Sequence, residues 1–81
     1  MEDEYRNHMV NEYRVHFKEA QASWREDKWL LYFPSGGANS YDTKKEAVKE
    51  GRELAKARKP AELIIEKKDG TVNKINNYGI R

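Results

Sequence analysis

Residues Phe33–Ala47, FPSGGANSYDTKKEA, decide how this chain is read. The glycine pair has two readings, a phosphate cradle or a hairpin turn. A cradle needs glycines that lead directly into a helix N-terminus, where free amides and the helix dipole meet an anion. Gly36 and Gly37 instead stand well before Thr43, with a short strand, NSYD, between them. Neither the GxxxxGK[ST] spacing nor GxGxxG occurs. The glycines are read as a turn, and Pro34, which cannot donate to a ladder, ends the strand before it. Thr43-Lys44-Lys45-Glu46 then forms a capping box, in which the Thr43 hydroxyl accepts from the Glu46 amide and the Glu46 carboxylate reaches back. A helix over about 44–58 follows, stopped by Pro60, which also disfavours helical geometry at Lys59. Its apolar stripe is Ala47, Val48, Gly51, Leu54 and Ala55. Glycine inside a helix costs about 1 kcal/mol against alanine, so Gly51 implies close approach of the helix to a sheet.

Moving outward, KWLLYF (28–33) is apolar on both sides and reads as an interior strand. Upstream, Tyr13, Val15 and Phe17 alternate with Arg14, His16 and Lys18, the pattern of a half-buried strand. EAQASWRED (19–27) connects the two and carries Trp24. Residues 1–10, MEDEYRNHMV, are polar and free of turn signals, and a frayed tail is expected there. Downstream, AELIIEKKDGTVNKIN reads as a hairpin with a type I′ turn at Asp69-Gly70. The element order is β-β-β-α-β-β. It predicts an α+β fold: an antiparallel sheet of about five strands with one helix on one face, residues 11–81 forming a single domain.

With 81 residues the chain has a thin core, burying about two-thirds of its unfolded surface. Charged and hydrophobic residues each make up 37%, which favours a soluble, surface-rich domain over disorder because the apolar residues cluster. The absence of cysteine excludes disulfides and thiolate metal sites. No apolar run approaches a membrane span and no basic-then-apolar leader opens the chain, so no membrane and a cytoplasmic location are expected. Net charge is +2, unevenly spread: five Lys/Arg against seven Asp/Glu in residues 1–40, eleven against seven in residues 41–81. His8 and His16 are the only histidines, and HExxH and GxSxG are absent. No enzyme, catalytic residue, cofactor or metal is expected.

From Lys28 to Gly79 the chain resembles the small bacterial, archaeal and phage family known as domain of unknown function 2188. The resemblance is carried by Trp29 leading the second strand, Gly36 in the turn, and Asp42, Thr43, Glu46 and Ala47 at the helix start. It continues through Arg52-Glu53-Leu54-Ala55 in the helix, Ala61-Glu62-Leu63 in the next strand, Asp69-Gly70 and the terminal Tyr78-Gly79. EAQASWRED is longer than the family's usual first turn. The family has no assigned function, so the resemblance implies fold rather than activity. Three strands, the DTKKEA junction and a helix are also faintly similar to the sheet-plus-helix DNA-binding domains at integrase N-termini, which read the major groove with the sheet.

Charge is organised in one place. Lys45, Lys49, Arg52, Lys56 and Lys59 recur at spacings of 4, 3, 4 and 3. At roughly 100° per residue they fall within an arc of about 80° if the helix reaches Lys59. This ridge suits phosphates or another acidic partner. The alternative is a solvated face stitched by Lys49–Glu53 and Glu46–Lys49 pairs. Like-charge neighbours such as Lys45–Lys49 cost as much as those pairs contribute, so local stability does not explain the segregation. On the sheet, Leu30, Tyr32 and Ile64 face away from Trp29, Leu31, Phe33, Leu63 and Ile65, and form a candidate interface on the far face. The expected function is a non-enzymatic module binding nucleic acid weakly and without sequence preference through the ridge, with Lys67, Lys68 and Lys74 nearby. The alternative is a protein-interaction or self-associating domain, monomer or homodimer, using the far sheet face.

Overall fold

The computed structural model describes residues 10–79, so the frayed tail expected ahead of the first strand lies almost wholly outside the described residues. Six elements follow in the expected order: β1 (Asn11–Lys18), β2 (Lys28–Tyr32), β3 (Ala38–Tyr41), α1 (Lys44–Ala57), β4 (Ala61–Glu66) and β5 (Val72–Tyr78). The strands form one sheet in the order β3-β2-β1-β4-β5, with α1 on one face. The α+β class holds.

The sheet is mixed, which corrects the antiparallel expectation. β1–β2, β2–β3 and β4–β5 are antiparallel, but β1 and β4 run parallel, with Val15 opposite Ile65. Direction explains this. Two hairpins leave β3 running the same way as β1, and α1 returns the chain to the starting end, so β4 also runs with β1. β4, apolar on both faces at Leu63, Ile64 and Ile65, takes the interior place beside β1, while the polar β3 stays at the edge. Two neighbours running the same way must pair in parallel, joined by a crossover.

The two tight hairpin turns, β2–β3 and β4–β5, are built alike. Gly36 N–H donates to Phe33 O at 3.0 Å and Phe33 N–H to Gly37 O at 2.8 Å; Gly70 N–H donates to Lys67 O at 3.0 Å and Lys67 N–H to Thr71 O at 2.8 Å. Gly36 and Gly70 take φ of 98° and 88°, and no non-glycine residue among those described has positive φ. This is the three-residue loop closed by a left-handed glycine. The type I′ turn expected at Asp69-Gly70 would need positive φ at Asp69 as well. Asp69 instead turns its carboxylate to accept from the Thr71 amide at 2.9 Å and the Thr71 hydroxyl at 2.6 Å.

Thr43 caps α1 as its position predicts: its hydroxyl accepts from the Glu46 amide at 3.2 Å. The Glu46 carboxylate accepts from that same hydroxyl at 2.9 Å. Replacing Thr43 by alanine should cost about 1 kcal/mol in urea unfolding. The helix ends at Ala57, with the Arg58 amide bonded to Ala55 O at 3.2 Å. Tyr13, Val15, Trp29, Leu31, Ala47, Ala55, Ala61, Leu63 and Ile65 fill the space between sheet and helix. Gly51 sits at the closest approach: a Cβ there would lie 2.8 Å from Leu63 Cδ1 and 3.1 Å from Leu31 Cδ1. The helix packs chiefly on β1, β4 and β2 and leaves β5 largely uncovered.

Candidate functional site

The ridge begins with helix geometry. Lys45, Lys49, Arg52 and Lys56 are exposed along one side of α1. Among the described residues none of the four lies within 4 Å of a carboxylate, so the stitching pairs with Glu46 and Glu53 are not formed. Lys59 does not extend the ridge. It follows the helix cap at Arg58, and its aliphatic stem lies against Gly79, where an added Cβ would sit 3.0 Å from Lys59 Cβ. Pro60 ends the helical run that would have placed Lys59 in line.

Because α1 stops short of β5, the sheet projects one strand beyond the helix. The step between them is a shallow groove lined by Arg52 and Lys56 on one side and by Ile75, Asn76, Asn77 and Tyr78 on the other. Its lining holds no carboxylate. Lys74 stands opposite Ile65 in the ladder and so belongs to the helix side of β5. At the start of α1, Lys44 Nζ donates to Asn73 Oδ1 at 3.3 Å and lies 5.1 Å from the centroid of the Trp29 ring. Lys68 Nζ lies 5.2 Å from the centroid of Phe17, while Lys67 is exposed at the hairpin tip. Helix and edge strand together present cations and amides, the groups that hold phosphate and sugar oxygens.

The far sheet face is organised around a charge the sequence reading passed over. Glu66 is 5% exposed, the buried charged residue of the described core. Arg14 Nη1 donates to Glu66 Oε2 at 2.5 Å, and His16 Nδ1 to Glu66 Oε1 at 2.7 Å. The parallel β1–β4 register brings them together, since Arg14 and His16 flank Val15, and Val15 is opposite Ile65. Burial opposes ionisation of Glu66, but the hydrogen bonds from His16 and Arg14, and their charges, outweigh it and hold the carboxyl below its ordinary value. The signal in the sequence was charge at outward positions of two strands, Arg14 and His16 on one, Glu66 on the other. Without the strand order the three had no reason to meet.

The other expected interface residues lie on this face. Leu30 is half-buried opposite His16, and Tyr32 is 38% exposed opposite Arg14. Ile64 is only 6% exposed. The Tyr32 and His16 rings lie 6.0 Å apart. Nearby, Lys28 is held above its ordinary lysine value by its hydrogen bond to Asp42, and Asp69 below the usual carboxylate range by its hydrogen bonds from Thr71. Among the described residues no three His, Cys, Asp or Glu side chains are grouped to hold a metal ion. No described helix is long and apolar enough to cross a membrane.

These features define a class: a small α+β domain whose mixed five-stranded sheet carries one short helix, basic on its outer side. Residues 22–78, more than half of the chain, match the family described as uncharacterized protein conserved in bacteria (DUF2188), and the protein belongs to that family. The match takes in everything from Ala22, within the β1–β2 connection, to the end of β5, including Glu66, and leaves β1 outside. No curated protein and no solved structure matches the chain. The fainter likeness to integrase domains gains no support from these comparisons.

Proposed function

We propose that this protein is a non-enzymatic cytoplasmic module that binds nucleic acid weakly and without sequence preference through the outer side of α1 and the neighbouring face of β5. One observation carries the reading: among the described residues the four helix cations have no carboxylate partner, and two of them, Arg52 and Lys56, line a groove with Ile75, two asparagines and a tyrosine and no acidic group. Lys45, Lys49, Arg52 and Lys56 suit phosphates, and the asparagines suit sugar and phosphate oxygens. Such contacts position a backbone without reading bases, which is why no sequence preference is expected. Four phosphate contacts also make the binding weak at physiological salt.

Fluorescence anisotropy with a labelled mixed-sequence strand and duplex tests the reading across a salt series. Four contacts predict a log–log slope of about −3 for the single strand and about −3.6 for the duplex. Lys49→Gln with Arg52→Gln should reduce that slope by roughly half. A slope near zero, or one that the double substitution leaves unchanged, contradicts it. A protein partner on the far sheet face is the second reading, favoured by the exposed ring of Tyr32 beside Leu30. It predicts association that salt hardly affects and that Tyr32→Ala weakens.

A further inference from the structure

The sheet has two edges, and they are guarded differently. β3 is short, four residues, and the strand preceding it ends at the turn containing Pro34. β5 runs seven residues, Val72–Tyr78, with no proline and a single charge, Lys74. Edge strands present unpaired N–H and C=O groups, and proteins usually blunt them with charge, proline, bulges or short length. A bulge does blunt one end here: Ile65 pairs with Lys74 and Glu66 with Val72, so Asn73 has no partner on β4. Lys74–Tyr78 remains as a regular, nearly uncharged edge. On it, Ile75 is 50% exposed and stands opposite the buried Ile64.

We infer that β5 pairs antiparallel with β5 of a second copy of this chain, about a two-fold axis through Ile75, joining the two sheets into one of ten strands. In such an isologous contact residue i meets j and j meets i. Centred at Ile75, the axis sets Ile75 against its own copy and Lys74 against Asn76. Centred at Lys74 it would set lysine against lysine, which is unfavourable, and centred at Asn76 it would leave Ile75 against Asn77. Only the Ile75 register sets the exposed apolar side chain against its own copy and keeps the charges apart. It also extends the cross-sheet row Tyr32, Arg14, Ile64, Ile75 through the seam.

A two-fold axis perpendicular to the sheet keeps both helices on the same face. With each helix centred over β1, five strand spacings of about 4.8 Å put the helix axes about 24 Å apart. Helices about 10–12 Å across then leave a trough about 12–14 Å wide. Arg52 and Lys56 of both copies wall it, and Lys74 and Asn76 of both floor it. This consequence rests on the nucleic-acid reading and narrows it to a single strand, because the trough is narrower than a duplex.

Sedimentation equilibrium of the full chain, without nucleic acid and from micromolar to millimolar concentration, tests the pairing on its own. The wild type should pass from monomer to dimer. Ile75→Lys and Ile75→Glu should each dimerise about tenfold or more weakly, because like charges then face each other across the axis. Their equimolar mixture should recover the dimer mass. Ile75 is half exposed, so both variants should keep the wild-type circular dichroism. A wild type that stays monomeric at millimolar concentration overturns the inference, as does a mixture no more associated than its components. Oligo-thymidine affinity tests the trough separately. Ile75→Lys should bind the strand more weakly than wild type despite its added positive charge, and equal or tighter binding overturns the trough while leaving the ridge and the dimer standing.

Discussion

Replacing Gly51 by valine is expected to cost the domain about 3 kcal/mol in urea unfolding, at the upper end of what overpacking a filled core does. A Cβ at this position meets Leu63 Cδ1 at 2.8 Å and Leu31 Cδ1 at 3.1 Å before any γ-methyl is added. Leu31 and Leu63 are fully buried, so neither methyl can swing out into solvent. Either the helix lifts from β1 and β4 or the leucines leave their rotamers. Gly51→Ala should lose less, because the roughly 1 kcal/mol gained in helix propensity offsets part of the clash. Trimming the opposing side chain tests the cause: Leu63→Val should cost less in the Gly51→Ala background than in the wild type, a coupling that distant sites do not show. A domain of this size has a total stability of about 4–12 kcal/mol, so the valine variant loses between about a quarter and three-quarters of it. Unchanged stability would mean that α1 does not approach the sheet as closely as the structure has it.

The second large effect concerns the far sheet face. Arg14→Met should destabilise the protein by about 2 kcal/mol at neutral pH, because the buried Glu66 carboxylate is left with His16 alone. Arg14 is itself partly exposed, so water screens the pair and keeps the loss below the 3–5 kcal/mol typical of breaking a fully buried one. Glu12, 3.9 Å from Arg14 and well exposed, contributes little. The pH dependence follows in sign. The folded state holds the Glu66 carboxyl below its ordinary value, so the folded protein binds fewer protons there than the unfolded chain. The stabilisation is fully present above the unfolded value of about 4.3 and is lost as pH falls through the depressed folded value. Urea unfolding of wild type and Arg14→Met should therefore converge as the pH is lowered through that window. A stability gap that stays constant through it would contradict the role given to Glu66.

What could be read from the chain alone was what local chemistry decides. Thr43 capped the helix because its hydroxyl needs only residues three positions away. Gly36 and Gly70 marked turns because left-handed backbone favours glycine, and Gly51 marked close packing because a helix interior otherwise disfavours it. The turn type at Asp69 was misread because the Asp-Gly pair fits two loop lengths, and the side-chain bonds to Thr71 selected the longer. Strand order was harder. Alternation in β1 and β4 told which side chains face the core, but not that the two strands are parallel neighbours, and the Arg14–Glu66–His16 cluster exists only through that register. The ridge was legible from the 4, 3, 4 spacing of Lys45, Lys49, Arg52 and Lys56, whereas its partner surface on β5 was not. That surface depends on where α1 lies across the sheet.

An amide-resolved NMR titration of the labelled protein with a short single strand and a duplex, at low and moderate salt, tests the binding surface most directly. Shifts are expected at Lys45, Lys49, Arg52 and Lys56 and on the helix side of β5 at Lys74 and Asn76, all fading as salt rises. Shifts confined to the far face around Leu30 and Tyr32, or no shifts at millimolar nucleic acid, would contradict it.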